Sequence, residues 1–382
     1  MTVVSDLRLA VIDVRPGAAM ESQSGLQMLR PRIYGAWRDA GDRRDVAAIV
    51  MHPTSNFMGH YLIEPLARRG IACMGLNTRY AGNDAVLLME RAIQDLGAGV
   101  RFLRDAGFRH VVLIGNSGGA ALASFYQAQA ERLTIDSLVD GDRLDLQRDD
   151  LPPVDGLALC AAHLGRTRLL LDWIDPSVTD EHDPLSIDPA LDCYDARHTL
   201  PYAPAFLSRF ADAQRARRDR IEAWVLARLA QLRSTAGVPR DQVFLVHRTH
   251  ADPRCIDLSI DANDRAPGSV WGAGVDGARA VNYAANAMGR VTSLTAFLSQ
   301  WSSRSRADGP TNLALTAVPT LLLTYTADQS TFPSTRDAWL AAGGDRIRNV
   351  DIRGGNHYLA GQPGLVEEAA DTMAAWIERT IH

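Results

Sequence analysis

The sequence predicts an α/β fold with a mostly parallel, doubly wound sheet, and two observations lead to this prediction. Short apolar runs typical of buried strands alternate with amphipathic segments typical of helices over residues 45–163, and again over 311–382. Between them, from 164 to about 310, the alternation stops, which indicates a large insertion between two core strands. Strands joined by helices in this rhythm pair in parallel through right-handed crossovers, so helices cover both faces of the sheet.

The first half of the chain alternates strands with helices. Strands are predicted at 7–14, about 26–38, 47–51, 71–76, 111–114 and 155–163, the first two as separate strands or as a hairpin around the turn at Pro16-Gly17. Helices are predicted from Met58 to the C-terminal signal Arg68-Arg69-Gly70, from Asn83-Asp84 to about Ala106 with Gly107 closing the helix, and after Gly119. Residues 42–45 are predicted to form a charged connector. A surface excursion is predicted over residues 131–150, because this segment is charged and poor in large apolar side chains.

The second half begins with the insertion. A helix is predicted over 206–233, with arginines on one face and Ile221, Trp224, Val225, Leu229 and Leu232 on the other. A second long helix is predicted over about 276–301. The strand and helix rhythm then resumes with a strand at 318–326, a helix at 335–342, a strand at 347–352 and a final helix from about Leu365 to Ile377.

Composition and charge narrow the class of protein. A chain of 382 residues with 46% hydrophobic and 22% charged side chains has enough apolar surface for a large core. A net charge of −5 gives no basic footprint for nucleic acid or anionic lipid. Charged residues interrupt the apolar N-terminal run and no apolar run approaches the roughly 20 residues of a membrane span, so neither a signal peptide nor a membrane anchor is expected. Four widely spaced cysteines without a C-x-x-C pair predict free thiols and a cytoplasmic location.

The segment 111–122 carries the main chemical signal. Four apolar residues, Val111 to Ile114, predict a strand buried on both faces, and the Ala/Leu-rich segment after Gly119 predicts a helix. Almost no loop separates them. A serine on so tight a turn needs glycines beside it, because the backbone enters costly dihedrals and the two elements pack closely. The turn therefore presents Ser117 above the sheet edge, at a helix N-terminus that favours negative charge.

Gly115-Asn116-Ser117-Gly118-Gly119 matches the G-x-S-x-G nucleophile elbow, and in this motif the chain resembles the α/β-hydrolase superfamily. The resemblance covers about 45–163 and 311–382. It implies a hydrolase core in two parts, 1–163 and 311–382, with a cap or lid at 164–310. Two alternatives remain: an ordinary Gly/Ser turn, or a dinucleotide-binding turn, which fits poorly because Ser117 takes the place of the second glycine and the third glycine is missing.

The resemblance also implies a catalytic triad in the chain order nucleophile, acid, histidine. Asp328 follows a late strand and His357 follows the last one, so the triad is predicted as Ser117, Asp328 and His357. A serine hydroxyl needs such a base, and the base needs an orienting acceptor. Asp328 as a helix cap and His357 as a structural loop histidine stay open, with Asp183 or Asp188 as the alternative carboxylate.

Acyl transfer further needs donors aimed at the developing oxyanion. One is expected to be the backbone N–H of Gly118, and the other to come from the loop after the 47–51 strand. Residue 53 of that loop is a proline without an N–H, so Thr54 or Ser55 is expected to supply it. The remaining pocket candidates are His52, which also fits a structural role in the loop, and Asn116, His163, Trp173, Trp271 and Tyr283.

The leading hypothesis is a serine hydrolase that cleaves a carboxylic ester or lactone of a small, apolar substrate through an acyl-enzyme. A thioesterase, an amidase, a C–C bond hydrolase and a non-catalytic ligand-binding member of the fold remain alternatives. No cofactor and no metal is expected, although His247, His250 and Asp252 leave a metal site as a minor alternative. The expected partner is a small ester-type molecule, with no nucleic acid and no membrane, and a homodimer is left open.

Overall fold

A computed structural model describes residues 6–16, 31–41, 45–267, 272, 274–285 and 287–381. The predicted residues 26–30, Gly17 and the connector at 42–44 lie outside this part of the chain. The described strands are β1 (Arg8–Asp13), β2 (Arg32–Arg38), β3 (Val46–His52), β4 (Ala72–Asn77), β5 (His110–Asn116), β6 (Gly156–Cys160), β7 (Val243–Leu245), β8 (Val291–Ser293), β9 (Thr320–Tyr325) and β10 (Ile347–Ile352). Eight of these described strands form one sheet in the order β1-β2-β4-β3-β5-β6-β9-β10.

The sheet is antiparallel only at one edge. β2 pairs antiparallel with both β1 and β4, and every other described pair in this sheet is parallel. The parallel strands β3, β4, β5 and β6 are almost continuously buried, as strands covered on both faces must be. The predicted mostly parallel α/β sheet is therefore confirmed.

Helices lie on both faces of this sheet. Their bounds are α1 (Ile63–Arg68), α2 (Met89–Asp105), α3 (Gly119–Glu131), α4 (Arg166–Trp173), α5 (Pro204–Ser234), α6 (Gly274–Tyr283), α7 (Leu294–Gln300), α8 (Gly309–Leu313), α9 (Pro333–Gly343) and α10 (Pro363–Thr380). On one face α2 and α3 pack with Trp339 of α9 against the sheet. On the other face α1 and α10 bury their apolar side chains. This is the predicted doubly wound arrangement.

A mainly helical insertion separates β6 from β9. It contains α4, α5, α6 and α7 and the two-stranded ribbon β7-β8. Two apolar clusters of its own hold it together, one around Val225, Leu294 and Phe297 and the other around Tyr202, Phe206 and Phe210. The partition of the chain at 163/164 and 310/311 stays a prediction. No helix in the described ranges is long and apolar enough to cross a membrane.

Two core helices begin later than predicted. The prediction of a helix from Met58 was wrong, because α1 begins at Ile63. Proline is tolerated only in the first helical turn, and Pro65 therefore limits how early this helix can begin. α2 begins at Met89 instead of Asn83-Asp84, and the Ser299 hydroxyl accepts a hydrogen bond from the Met89 N–H at 2.8 Å. The first turn of α2 is thus capped by a residue of the insertion.

Three further expectations are corrected. The long helix over 276–301 is instead α6, β8 and α7; Gly289 has a φ of 77°, and Ser293 caps α7 by accepting the Ala296 N–H. Trp224 of α5 is 43% exposed, and its ring lies 5.1 Å from that of Phe244. The segment 131–150 was predicted to be a surface excursion, but it is not only surface. Its leucines 138, 144 and 146 are buried in the core.

Candidate active site

The turn between β5 and α3 holds Ser117 in a strained conformation. Its φ is 58°, in the left-handed region that a serine rarely adopts. The Ser117 N–H donates to the Cys160 carbonyl at 2.9 Å, and the Ser117 carbonyl accepts from Ala120 and His163. These bonds tie the turn to the neighbouring strand β6, so packing of the surrounding elements stabilises the strained backbone.

Glycine is required beside Ser117 because the backbones approach closely. A Cβ on Gly119 would lie 2.0 Å from the Met51 carbonyl oxygen, and one on Gly115 would lie 2.6 Å from the Gly119 carbonyl oxygen. Real Cβ atoms do not approach backbone oxygens this closely. The glycines that the motif requires are therefore explained by the packing of α3 against β3 and β5.

Three predicted residues meet at the carboxyl end of the sheet. The Ser117 Oγ lies 3.0 Å from His357 Nε2, and His357 Nδ1 lies 2.8 Å from Asp328 Oδ2 and 3.0 Å from Oδ1. All three side chains are buried, and Asp328 is fully inaccessible. Ser117 is separated from the other two by more than 200 residues of sequence, and the parallel sheet brings them together because it ends β5, β9 and β10 at one edge.

Asp328 is held as a carboxylate by several donors. Its Oδ1 accepts from the Ser330 N–H at 2.7 Å and the Thr331 N–H at 3.2 Å, and its Oδ2 accepts from the Thr331 hydroxyl at 2.7 Å. Burial raises the pKa of Asp328, but the His357 charge and these hydrogen bonds outweigh burial, and the net pKa lies below its ordinary value. The alternative carboxylates, Asp183 and Asp188, instead accept backbone N–H groups of their own loop.

The insertion helps to position Asp328. Asn263 donates to the Asp328 carbonyl at 2.7 Å, and the Asp264 N–H donates to the Thr326 carbonyl at 2.9 Å. The segment around 263 is therefore bonded directly to the loop that carries the acid. No sequence pattern indicated this contact, since 65 positions separate Asn263 from Asp328.

The loop after β3 uses its N–H groups in a way that the sequence did not suggest. Thr54 and Ser55, the predicted oxyanion donors, donate their N–H groups to His52 Nδ1 at 3.1 and 2.8 Å. Arg166, the first residue of α4, donates to the Thr54 hydroxyl at 2.8 Å. In this structure the predicted N–H groups are thus already bonded to an imidazole, and an oxyanion role for Thr54 or Ser55 stays a prediction.

The predicted pocket residues are only partly brought together. His163 lies near the triad, with its ring 5.4 Å from that of His357 and its Nε2 3.1 Å from the Ser330 hydroxyl. The Trp173 ring lies 5.9 Å from His163. Tyr283 is instead engaged by Arg248, which donates to its hydroxyl at 2.6 Å. Trp271 lies outside the described residues.

Asn116 does not present its side chain to a pocket. It is fully buried; its amide nitrogen donates to the Cys160 carbonyl at 3.1 Å, and its amide oxygen lies 3.3 Å from His60 Nε2. Burial lowers the pKa of His60 to about 4, so this imidazole is neutral at pH 7. The expectation that Asn116 lines the pocket is therefore corrected: it supports the strand that leads into Ser117.

Sequence reasoning missed several residues at this site. Ser330 and Thr331 follow Asp328 in the spacing typical of an Asx turn, a signal that was present in the sequence. The Tyr358 ring lies 4.6 Å from that of His357; burial raises the pKa of Tyr358, and a polar interaction with Ser117 acts in the opposite direction. Its place directly after His357 was the one available signal.

Other candidate chemistry finds no support in the described part of the chain. No group of three or more His, Cys, Asp or Glu side chains there is placed to hold a metal ion, which leaves the alternative at His247, His250 and Asp252 without a ligand set. All four cysteines are free, as predicted. Burial raises the pKa of Cys73 and Cys160, so these thiols stay protonated.

Comparison with known proteins gives matches at the level of structure only. No protein-family model and no curated protein matches the chain. A structure of DcsB in complex with its substrate analogue matches with a TM-score of 0.51 and 15% identity, over 98% of this chain and all of that one. Together with the strand order and the strand–serine–helix turn, this match identifies the fold. The chain has the α/β-hydrolase fold.

Two esterases are also among the matches of the α/β-hydrolase fold. A carboxyl esterase from Bacillus coagulans in complex with glycerol matches with a TM-score of 0.49 and 11% identity, over 98% of this chain and 99% of that chain. The esterase domain of a Rhodothermus marinus protein matches with a TM-score of 0.46 and 12% identity, over 98% and 100%. At such identities the likeness concerns the fold alone.

Proposed function

We propose that this protein is a serine hydrolase that cleaves the carboxylic ester or lactone bond of a small, apolar substrate. The observation that carries the proposal is the hydrogen-bonded series from Ser117 Oγ through His357 to Asp328, with both heavy-atom links at 2.8–3.0 Å. This is the geometry in which an imidazole can take a proton from a hydroxyl while a carboxylate orients it. Ser117 is the nucleophile, His357 the general base and acid, and Asp328 the orienting group.

Acylation begins when Ser117 Oγ attacks the carbonyl carbon. A bond forms between Oγ and that carbon, the carbonyl π electrons move to oxygen, and the Ser117 proton passes to His357 Nε2. His357 Nδ1 keeps its own proton, which Asp328 accepts as a hydrogen bond. The electrons on that oxygen then re-form the carbonyl as the bond from carbon to the leaving oxygen breaks, and His357 Nε2 protonates the leaving oxygen, which gives the alcohol and an ester on Ser117.

Deacylation repeats these steps with water as the nucleophile. His357 Nε2 takes a proton from the water as its oxygen attacks the acyl carbon, and the proton then returns to Ser117 Oγ as the acid leaves. His357 must be neutral to accept either proton.

Uncharged aromatic side chains near the triad support an apolar acyl or alcohol group. Trp173 from the insertion lies over His163, and it stacks on His250 with ring centroids 4.7 Å apart. Burial lowers the pKa of His163 and of His250 to about 3, so both imidazoles are neutral at pH 7. These groups offer aromatic faces without charge, which suits an apolar substrate better than a charged one.

Replacement of Ser117 by alanine tests the proposal. We expect Ser117→Ala to abolish turnover of p-nitrophenyl esters and covalent labelling by a fluorophosphonate, because both reactions need the Ser117 oxygen. The matched control is Ser124→Ala, which removes another buried hydroxyl from the same segment, one whose bond is to the Ala120 carbonyl inside α3. Ester turnover by Ser117→Ala, or a wild-type protein that fluorophosphonate does not label, would contradict the proposal.

A further inference from the structure

His52 lies where the loop after β3 meets the nucleophile turn. It is the last residue of β3, which pairs with β5 in a register that places Met51 opposite Gly115. Its Nε2 lies 3.0 Å from the position that a Cβ on Gly118 would occupy. The imidazole therefore borders the residue that follows Ser117, at the carboxyl edge of the sheet.

Backbone contacts decide which nitrogen of this imidazole carries the proton. His52 Nδ1 accepts N–H groups from Thr54 at 3.1 Å and Ser55 at 2.8 Å. A nitrogen that accepts hydrogen bonds presents a lone pair, so the single proton of the neutral ring is on Nε2. Burial first, and then the charge of Arg166, lower the pKa of His52 well below its ordinary value, which keeps the ring neutral.

The Nε2–H of His52 has no hydrogen-bond acceptor among the described residues. The side chain is only 4% exposed, and its described polar contacts are both at Nδ1. The Nε2 atom is not among the fully buried unpaired polar atoms of the described residues, so it keeps some accessible surface and a ligand oxygen can reach it. The backbone N–H of Gly118 also makes no hydrogen bond with the described part of the chain.

We propose that His52 Nε2–H and the Gly118 N–H together form the oxyanion hole, which makes His52 a catalytic residue of the serine hydrolysis proposed above. When Ser117 Oγ adds to the carbonyl carbon, the oxygen gains a negative charge, and both donors bind it. His52 transfers no proton and stays neutral throughout. The roles in the loop are thereby assigned: Pro53 has no N–H, the N–H groups of Thr54 and Ser55 orient the imidazole, and the imidazole supplies the donor.

Two substitutions separate this role from a purely structural one. His52→Asn keeps an acceptor at the Nδ1 position for Thr54 and Ser55 but removes the donor at Nε2. His52→Gln reaches the Nε2 position with an amide N–H but removes the acceptor at Nδ1. A catalytic donor predicts that the asparagine variant has the lower kcat, whereas a loop-holding role predicts the opposite order.

We expect His52→Asn to lower kcat for p-nitrophenyl butyrate by about 10²–10³-fold with little change in KM, the effect of losing one oxyanion donor. The inhibition constant of a trifluoromethyl ketone should rise in proportion to the loss of kcat/KM, because that inhibitor forms the same oxyanion. His182→Asn at an exposed position is the control and should match the wild type. A wild-type kcat for His52→Asn, or a lower kcat for His52→Gln than for His52→Asn, would overturn the inference.

A measurement on the wild-type protein is independent of how the variants fold. In a crystal structure of the phosphonate adduct on Ser117, the phosphoryl oxygen should lie about 3 Å from both His52 Nε2 and the Gly118 nitrogen. An adduct whose oxygen bonds elsewhere would overturn the inference and leave the proposed serine hydrolysis intact. If the wild-type protein forms no adduct and hydrolyses no ester, the proposed function itself fails, and this inference fails with it.

Discussion

At the scale of single residues, Asp328 determines which nitrogen of His357 can accept the Ser117 proton. Its two oxygens accept from the Ser330 and Thr331 backbone, the Thr331 hydroxyl and His357 Nδ1. Backbone N–H groups can only donate, so Oδ1 must remain an oxygen. Any donor placed at Oδ2 would therefore face His357 Nδ1 and force that nitrogen to become the acceptor.

We accordingly predict that Asp328→Asn lowers kcat by about 10⁴-fold, the loss known for the corresponding change in a serine protease triad. The amide NH₂ would hold His357 with its proton on Nε2, where it cannot act as a base. Steady-state kinetics on a p-nitrophenyl ester measure the effect. The matched control is Asp183→Asn, at the exposed carboxylate that the sequence left as an alternative. If Asp183→Asn were the slower variant, the assignment of Asp328 would be wrong.

At the scale of elements, the contact between α3 and β3 explains the glycines of the nucleophile turn. A Cβ on Gly119 would lie 2.0 Å from the Met51 carbonyl oxygen, so helix and strand would have to separate to admit it. The same contact holds Ser117 in its strained conformation. Stability and activity at this turn are therefore coupled through one packing interaction.

Gly119→Ala should therefore reduce the free energy of unfolding by about 1–3 kcal/mol through overpacking, and it should lower activity because Ser117 is displaced. The matched control is Gly364→Ala in α10, where an added Cβ meets nothing within 4 Å. That change should stabilise the protein by roughly 0.4–1 kcal/mol. Denaturant unfolding and ester turnover measure both effects. An unchanged free energy of unfolding for Gly119→Ala would show that α3 can move away without cost.

The helices show how contacts between distant elements replace local signals. Asn83 makes a local turn by accepting the Ala85 N–H at 3.1 Å, but α2 begins only at Met89. Gln300 holds the intervening loop by donating to the carbonyls of Asp84 and Leu87. On α5, the arginines were predicted on the face opposite the apolar side chains, yet Arg217 is fully buried and paired with Glu181 at 2.6 Å.

At the scale of the whole molecule, buried histidines make stability depend on pH. Burial lowers the pKa of His60 to about 4 and that of His163 and His250 to about 3, and it lowers the pKa of His52 as well. In the unfolded chain these histidines bind protons near pH 6.5, whereas in the folded protein they are still neutral at that pH. These histidines therefore cost the folded state nothing above about pH 6.5, and the free energy of unfolding decreases as pH falls toward their pKa values in the folded protein. The lowered pKa of Asp328 contributes only below about pH 4.

We predict a decrease in the free energy of unfolding between pH 6.5 and 4, of up to about 1.4 kcal/mol per pH unit for each of these histidines. His60→Gln should reduce this slope by one histidine's share, because glutamine takes up no proton. His182→Gln, at an exposed site, should leave the slope unchanged. Urea unfolding across this pH range measures the slopes. Equal slopes for wild type and His60→Gln would contradict the prediction.

The site residues that could be predicted are those that lie in a recognisable local sequence pattern. Ser117 sits in a local motif, and Asp328 and His357 each follow a strand, so the resemblance to the α/β-hydrolases, with its chain order of nucleophile, acid and histidine, was enough to propose them. Asn263 has no local signal, because its contact with the Asp328 carbonyl joins segments 65 positions apart. The same limit applies to His52: its position in the loop was visible, but the use of the Thr54 and Ser55 N–H groups was not.

The sequence by itself determined the α/β alternation, the place of the insertion and the turn that presents Ser117. These depend on periodicity and on glycine at close contacts, which are properties of neighbouring residues. Only the tertiary structure decided where α2 begins, which side chains of the insertion hold Asp328, and which proton His52 carries. Each of these depends on a hydrogen-bond partner from a distant part of the chain or from the folded loop. Which acceptor a donor binds is determined only when folding brings the two groups together.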